Sequence, residues 1–153
     1  MAKVILVCGK VCCGKTTYTA SLQANGAVLL SSDELMRLLF DEYLGDRHDV
    51  LARRVNDYLL QKSLELLAAG VDVVLDWGFW TKAGREAALN FYRERGFAAE
   101  LHYLEVDDET WQQRIEKRNA NRGPADYYVD DGLREKCLSH FEPPETADVR
   151  IKA

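Results

Sequence analysis

Long apolar runs are missing from this sequence. No stretch approaches the ~20 residues that a membrane-spanning helix needs. Residues 1–8 lack the basic start and long apolar core of a signal peptide. Histidines are few and scattered, at His48, His102 and His140, and are assigned neither catalysis nor metal. Of four cysteines, Cys8, Cys12 and Cys13 crowd into six residues and Cys137 stands far away. That spacing fits no disulfide framework, and no second CxxC-type pair supports zinc. Buried or loop thiols in a reducing compartment are expected. Positive charge is also short: 20 Lys and Arg against 25 Asp and Glu give a net charge of −5. An acidic chain is a poor match to a polyanion, so nucleic acid is disfavoured as a partner. The expectation is a cytoplasmic protein without a membrane partner.

With three prolines, no low-complexity tract and no internal repeat, the 153 residues offer no linker, and a single domain over 1–153 is expected. Apolar residues make up 47% of the chain, enough for a sizeable core at this length.

Residues 3–8 form a continuous aliphatic run, the mark of a strand buried on both faces. A helix from Lys15 to about Gln23 follows, ended by Asn25 and Gly26. Apolar runs at 27–30, 71–75, 101–106 and 149–151 predict four more strands. Ser31 precedes Glu34 by three residues, a capping-box spacing, and Leu35, Leu38 and Leu39 line one helical face behind it. Residues 41–49 read as a loop, and a longer helix carries Leu51, Val55, Leu59 and Leu66 up to Gly70. Thr81 and Asp107 or Asp108 sit where helix caps belong, and a last helix is expected over 129–141, stopped by Pro143 and Pro144. Strand alternating with helix calls for an α/β fold, a five-stranded parallel sheet with helices on both faces.

Gly9, Lys10, Val11, Cys12, Cys13, Gly14, Lys15 and Thr16 match G-x-x-x-x-G-K-[ST]. The glycines let the backbone wrap so that successive N–H groups point at phosphate oxygens. The helix starting at Lys15 adds its positive end. Lys15 is expected to reach the β- and γ-phosphates, Thr16 to ligate Mg²⁺, and Thr17 to follow on the nucleotide side. A buried strand before the motif and a helix after it supply the confirming context. ATP and Mg²⁺ are the expected cofactors. An Asn-Lys-x-Asp guanine motif does not occur, which favours ATP over GTP.

A strand, this P-loop and a chain this short resemble the small P-loop kinases, in particular the group that includes chloramphenicol phosphotransferase, polynucleotide kinase and zeta toxin. The likeness in element order runs over nearly the whole chain. It implies a nucleoside-kinase-like fold with an arginine lid, here about 114–126. It also implies an acid facing the γ-phosphate across the cleft, matched here by Asp33, with an arginine close behind. Arg37 follows at four residues, where the family commonly has three. Asp33 is thus the candidate catalytic base; as an acid in a first helical turn it also simply complements the dipole. Arg37 binds a substrate anion or pairs with Asp33 on one helix face.

The run ending at Asp76 resembles a Walker-B strand. Asp76 would hold a water on Mg²⁺ or a substrate hydroxyl, or cap a turn. The sequence LDWGFW with Arg85 beyond it resembles an ATP-binding, kinase-like subset of the same group. Trp77, Phe79 and Trp80 line an acceptor pocket or fill core, with Trp77 and Arg85 as substrate-binding candidates. Arg114, Lys117, Arg118 and Arg122 resemble the lid of such kinases, Arg114 and Arg118 being the catalytic candidates; a solvated helix face is the other reading. Gly123 and Pro124 mark a hinge. The resemblance puts the adenine beside 141–144 and a lid arginine, where a plain stop signal is the alternative.

The leading expectation is an ATP-dependent phosphotransferase acting on a hydroxyl of a small-molecule acceptor, as a monomer or homodimer. A polynucleotide 5′-kinase and a non-kinase ATP-binding switch module are the alternatives.

Overall fold

The structure, a computed structural model, describes residues 1–40, 44–122 and 128–152. The element order is β1 (Lys3–Cys8), α1 (Lys15–Ala24), β2 (Val28–Leu30), α2 (Ser32–Leu39), α3 (His48–Ala68) and β3 (Val73–Gly78). Then come α4 (Lys82–Arg93), β4 (Ala98–Glu105), α5 (Asp108–Ala120), α6 (Asp131–His140) and β5 (Val149–Lys152). The five strands are all parallel, in the order β2-β3-β1-β4-β5, as expected for strands separated by crossover helices.

Central β1 explains why its sequence is apolar throughout. Val4, Leu6 and Cys8 face a cluster that Leu67 of α3 and Tyr92 of α4 complete. Ile5 and Val7 face the opposite cluster with Trp111 and Ile115 of α5 and Cys137 of α6. Val4, Leu6, Val7, Val73, Val74 and Leu75 are fully buried. Each such side chain contributes about 1.5–3 kcal/mol, so the two strands beneath the site are the most strongly held part of the fold.

Several boundaries differ from the sequence reading. β3 runs Val73–Gly78 rather than 71–75, so Asp76 and Trp77 lie within the strand. Pairing with β1 carries it on: Leu6 sits opposite Leu75 and Cys8 opposite Gly78, with an irregularity between them. β4 starts at Ala98 because Lys3 and Val4 pair with Ala98 and Ala99. α3 starts at His48, after a short 3₁₀ turn over Gly45–Arg47, inside the span expected to be loop; Asp41 lies outside the described residues. α6 is shorter than 129–141, since Asp130 caps it through the Leu133 N–H at 2.7 Å and Asn119 holds both polar groups of the Val129 backbone. The apolar face expected on α2 is not a core face: Leu38 and Leu39 are 74% and 59% exposed. The caps were legible. Ser31, Thr81 and Asp107 accept from the N–H groups of Glu34, Gly84 and Thr110.

Candidate functional site

β1 delivers the chain to Gly9, whose N–H donates to the Gly78 carbonyl at 3.1 Å. A Cβ on Gly9 would stand 2.3 Å from Cys13 Sγ, so no side chain fits there. The chain then turns back, Cys13 N–H bonding to the Lys10 carbonyl at 3.3 Å. Cys12 at φ 57° and Gly14 at φ 97° take left-handed conformations. For Gly14 that conformation costs little; for Cys12 it costs on the order of 1–2 kcal/mol. Gly14 is also the N-cap of α1, and among the described residues neither a side-chain cap nor an acid serves that first turn. The helix start is left with amide donors and a positive dipole end, an anion site in waiting.

Lys15 lies folded over this turn, its Nζ donating to the Lys10 carbonyl at 2.8 Å and the Gly9 carbonyl at 3.1 Å. Thr16 and Thr17 are exposed at the mouth. Lys10 points away from the cradle. Its Nζ lies 4.5 Å from the Trp111 ring centroid and 3.7 Å from Asp108. All four cysteines are buried. Burial pushes the Cys8 thiol up to about 11 against the opposing charges of Arg85 and Lys15.

A second wall comes from β3 and α2. Asp76 is desolvated, and burial raises its carboxyl above the ordinary 3.8. A hydrogen bond from Ser31 and the charge of Lys15 oppose that rise, while the Asp33 carboxylate adds to it. Ser31 therefore works twice, capping α2 through the Glu34 N–H and holding the Asp76 carboxyl down against the effect of burial. Asp33 is exposed on the first turn of α2, and Arg37 stands half-buried one turn on. So Lys15, Ser31 and Asp33 all act on the Asp76 carboxyl, although the four come from three separate stretches of chain.

The arginine segment divides. Arg114 reaches the cradle: a Cβ built on Gly14 would be 3.0 Å from Arg114 Nη1. Arg118 is half-buried one turn further along α5. Lys117 and Arg122 are exposed, and the expected hinge at Gly123 and Pro124, with Asp126, lies outside the described residues.

Arg85 is where the structure departs from the substrate-binding expectation. It is 4% exposed, and Nη1 donates to the carbonyls of Phe79 at 2.9 Å and Trp80 at 3.2 Å. It braces a strained turn, since Gly78 and Phe79 both have positive φ, at 80° and 47°. A cation in the first turn of a helix opposes the dipole; that placement was the available sign of local carbonyl partners. Trp77 reaches across to β2, Nε1 donating to the Leu30 carbonyl at 2.9 Å, and stacks on Phe79 at 6.0 Å. The segment 141–144 is anchored to the same turn, with Glu142 N–H bonding to the Trp80 carbonyl at 2.7 Å and Phe141 packed against Tyr103. His102, read as isolated, bonds to Tyr18 and to Glu100.

No curated protein matches this chain. Among solved structures, a candidate kinase from Chloroflexus aurantiacus is similar at 21% identity, with a TM-score of 0.71 over 99% of this chain and 87% of that one. A sugar kinase from Janibacter sp. gives 15% identity and a TM-score of 0.64 over 100% and 85%. The Mycobacterium tuberculosis APS kinase, solved in complex with AMPPNP and APS, gives 18% and 0.62 over 99% and 88%. These likenesses establish a P-loop kinase fold. A family model described as an AAA domain matches residues 4–144. That match spans nearly the whole sheet and both walls of the site, and the chain belongs to that AAA domain family of P-loop proteins.

Proposed function

We propose that this protein is an ATP-dependent phosphotransferase that moves the γ-phosphoryl group to a hydroxyl of a small-molecule acceptor. The observation that carries the reading is the two-walled site. Lys15 and the α1 start form one wall, Arg114 covers Gly14, and the Asp33 and Asp76 carboxylates stand opposite. The kinase fold of the neighbours supports the same reading.

Lys15 and the amides of the cradle hold and neutralise the β- and γ-phosphates. Asp33 orients the acceptor hydroxyl and takes its proton as the oxygen bonds to phosphorus. Arg114 and Arg118 draw charge off the transferred group and the leaving ADP oxygen. Thr16, and Asp76 through water, would hold Mg²⁺. The desolvated Asp76 beside Asp33 fits such an ion, since a divalent cation relieves their repulsion. Bound there, Mg²⁺ supplies charge neutralisation across the β- and γ-phosphates. Trp77 would form part of the acceptor side.

Among the described residues no helix is long and apolar enough to cross a membrane. The reading places the protein in the cytoplasm as a monomer or homodimer, with a free small molecule rather than nucleic acid as its partner.

The test is an ADP-release screen over hydroxyl compounds with ATP and Mg²⁺, followed by transfer of labelled γ-phosphate to each hit. Calorimetry should rank ATP above GTP. Absence of ATP binding would sink the proposal. ADP release that no acceptor stimulates, and no label in any product, would reduce the protein to an ATPase.

A further inference from the structure

Trp111 is 1% exposed, and its indole N–H donates to the Val11 carbonyl at 2.6 Å. A buried indole N–H must find a partner. Here the partner is a peptide of the phosphate cradle, a hundred residues away in sequence. A second cradle residue rests on the same ring, since Lys10 Nζ lies 4.5 Å from its centroid. On α6, Arg134 Cζ lies 5.9 Å from that centroid. Cys137 of α6 packs with Val11 in the same buried cluster, and the Val11 backbone lowers its thiol against the upward effect of burial. The outer arc of the cradle is therefore gripped by α5 and α6. Three residues beyond Trp111 on the same helix, Arg114 sets Nη1 against Gly14.

We propose that Trp111 is a positioning residue for nucleotide binding: its bond to Val11 fixes the arc of the cradle before nucleotide arrives and registers Arg114 over Gly14. The inference rests on the ATP-binding reading above. A cradle containing two glycines and a left-handed Cys12 has much backbone freedom to lose on binding. Fixing it from outside moves that cost from binding to folding. Val11 suits this role because its carbonyl is already engaged by Trp111. The grip leaves the amides at the start of α1, those of Gly14 and Lys15, for the ligand.

The test compares Trp111→Phe with Tyr92→Phe. Phenylalanine keeps a buried ring at 111 and deletes the donor to Val11. The second variant deletes a buried hydrogen bond of similar kind, Tyr92 to Ser63 at 2.7 Å, on the opposite face of the sheet. Both should lower Tm by a similar amount. Only Trp111→Phe should speed amide exchange at residues 10–14 in nucleotide-free protein, and only it should weaken ATP binding, by about tenfold. Cys137→Ala gives a second arm if Trp111→Phe does not fold: faster exchange at the same amides and a smaller loss of affinity, about two- to threefold. Equal losses of ATP affinity in Trp111→Phe and Tyr92→Phe would assign the effect to general destabilisation and overturn the proposal. Unchanged exchange at residues 10–14 in Trp111→Phe, or in Cys137→Ala where the first variant is unfolded, would overturn it too. The exchange arm needs no nucleotide, so a parent protein that bound no ATP would remove the kinase reading and leave the clamp itself on trial.

Discussion

The phosphate wall around Lys15 comes from one contiguous stretch, residues 9–16, whereas the facing wall collects Ser31, Asp33, Asp76 and Trp77 from two strand ends and a helix start. In the first, the backbone does the work, and the side chains that matter are few. In the second, the backbone supplies only position, and the chemistry depends on which side chains tertiary packing turns toward the cleft. The two walls differ in strain as well. The cradle places glycine at one of its two left-handed positions, while the turn after β3 puts Phe79 at φ 47° and holds it with Arg85. A left-handed aromatic held by a buried arginine persists only because its surroundings over-determine it.

The largest expected effect falls on the facing wall. Asp33→Asn preserves size and leaves the cradle untouched, so ATP affinity should persist while transfer to a true acceptor drops by ~10²–10⁴. Single-turnover transfer with a labelled γ-phosphate measures it. Parental rates would leave Asp33 to complement the dipole in the first turn of α2 and pass the acceptor role to Asp76.

Lys15→Ala attacks the other wall. Turnover should fall by ~10²–10³, and ATP affinity with it, in a protein of unchanged fold. Calorimetry and circular dichroism together decide the matter. A folded variant with parental ATP affinity would mean that the cradle does not hold the phosphates.

Arg85→Met separates bracing from substrate binding. Stripping the donor from the Phe79 and Trp80 carbonyls should cost about 1–3 kcal/mol, read as a lower denaturant midpoint, with ATP affinity near the parental value. If stability held and the acceptor KM rose instead, Arg85 would be a ligand residue, as the sequence alone suggested.

The smallest effect is a pH dependence. The folded-state pKa of Asp76 lies above the ordinary 3.8, so the native state holds this proton more tightly than the unfolded chain does. Stability from that proton is complete below the ordinary value and is lost as pH rises through the folded pKa. Asp76→Asn should therefore flatten the decline in Tm of nucleotide-free protein as pH rises above the ordinary 3.8. It should also raise Tm at the neutral end, and a thermal-shift series reads both. A parallel decline in parent and variant would place Asp76 in a more solvated setting than its burial implies.

The cradle was readable because its physics is local. Spacing of glycine, lysine and threonine between an apolar strand and a helix fixes the conformation of the turn. The parallel sheet was readable for the same reason, strand alternating with helix. The capping residues Ser31, Thr81 and Asp107 were legible from side-chain type and position. Asp76 was found as a strand-end acid, but its strand runs two residues past it, since register is set by the partner β1. The apolar face assigned to α2 failed because periodicity reports amphipathicity and not what covers it.

The sequence by itself determined the fold class and the turn between β1 and α1, because these follow from patterns within a turn or two of backbone. Only the tertiary structure decided that Arg85 faces inward, that Ser31 serves Asp76, and that Trp111 grips Val11. The last two join residues remote in the chain, and in all three burial leaves a polar group to be satisfied by whatever the packing brings within reach.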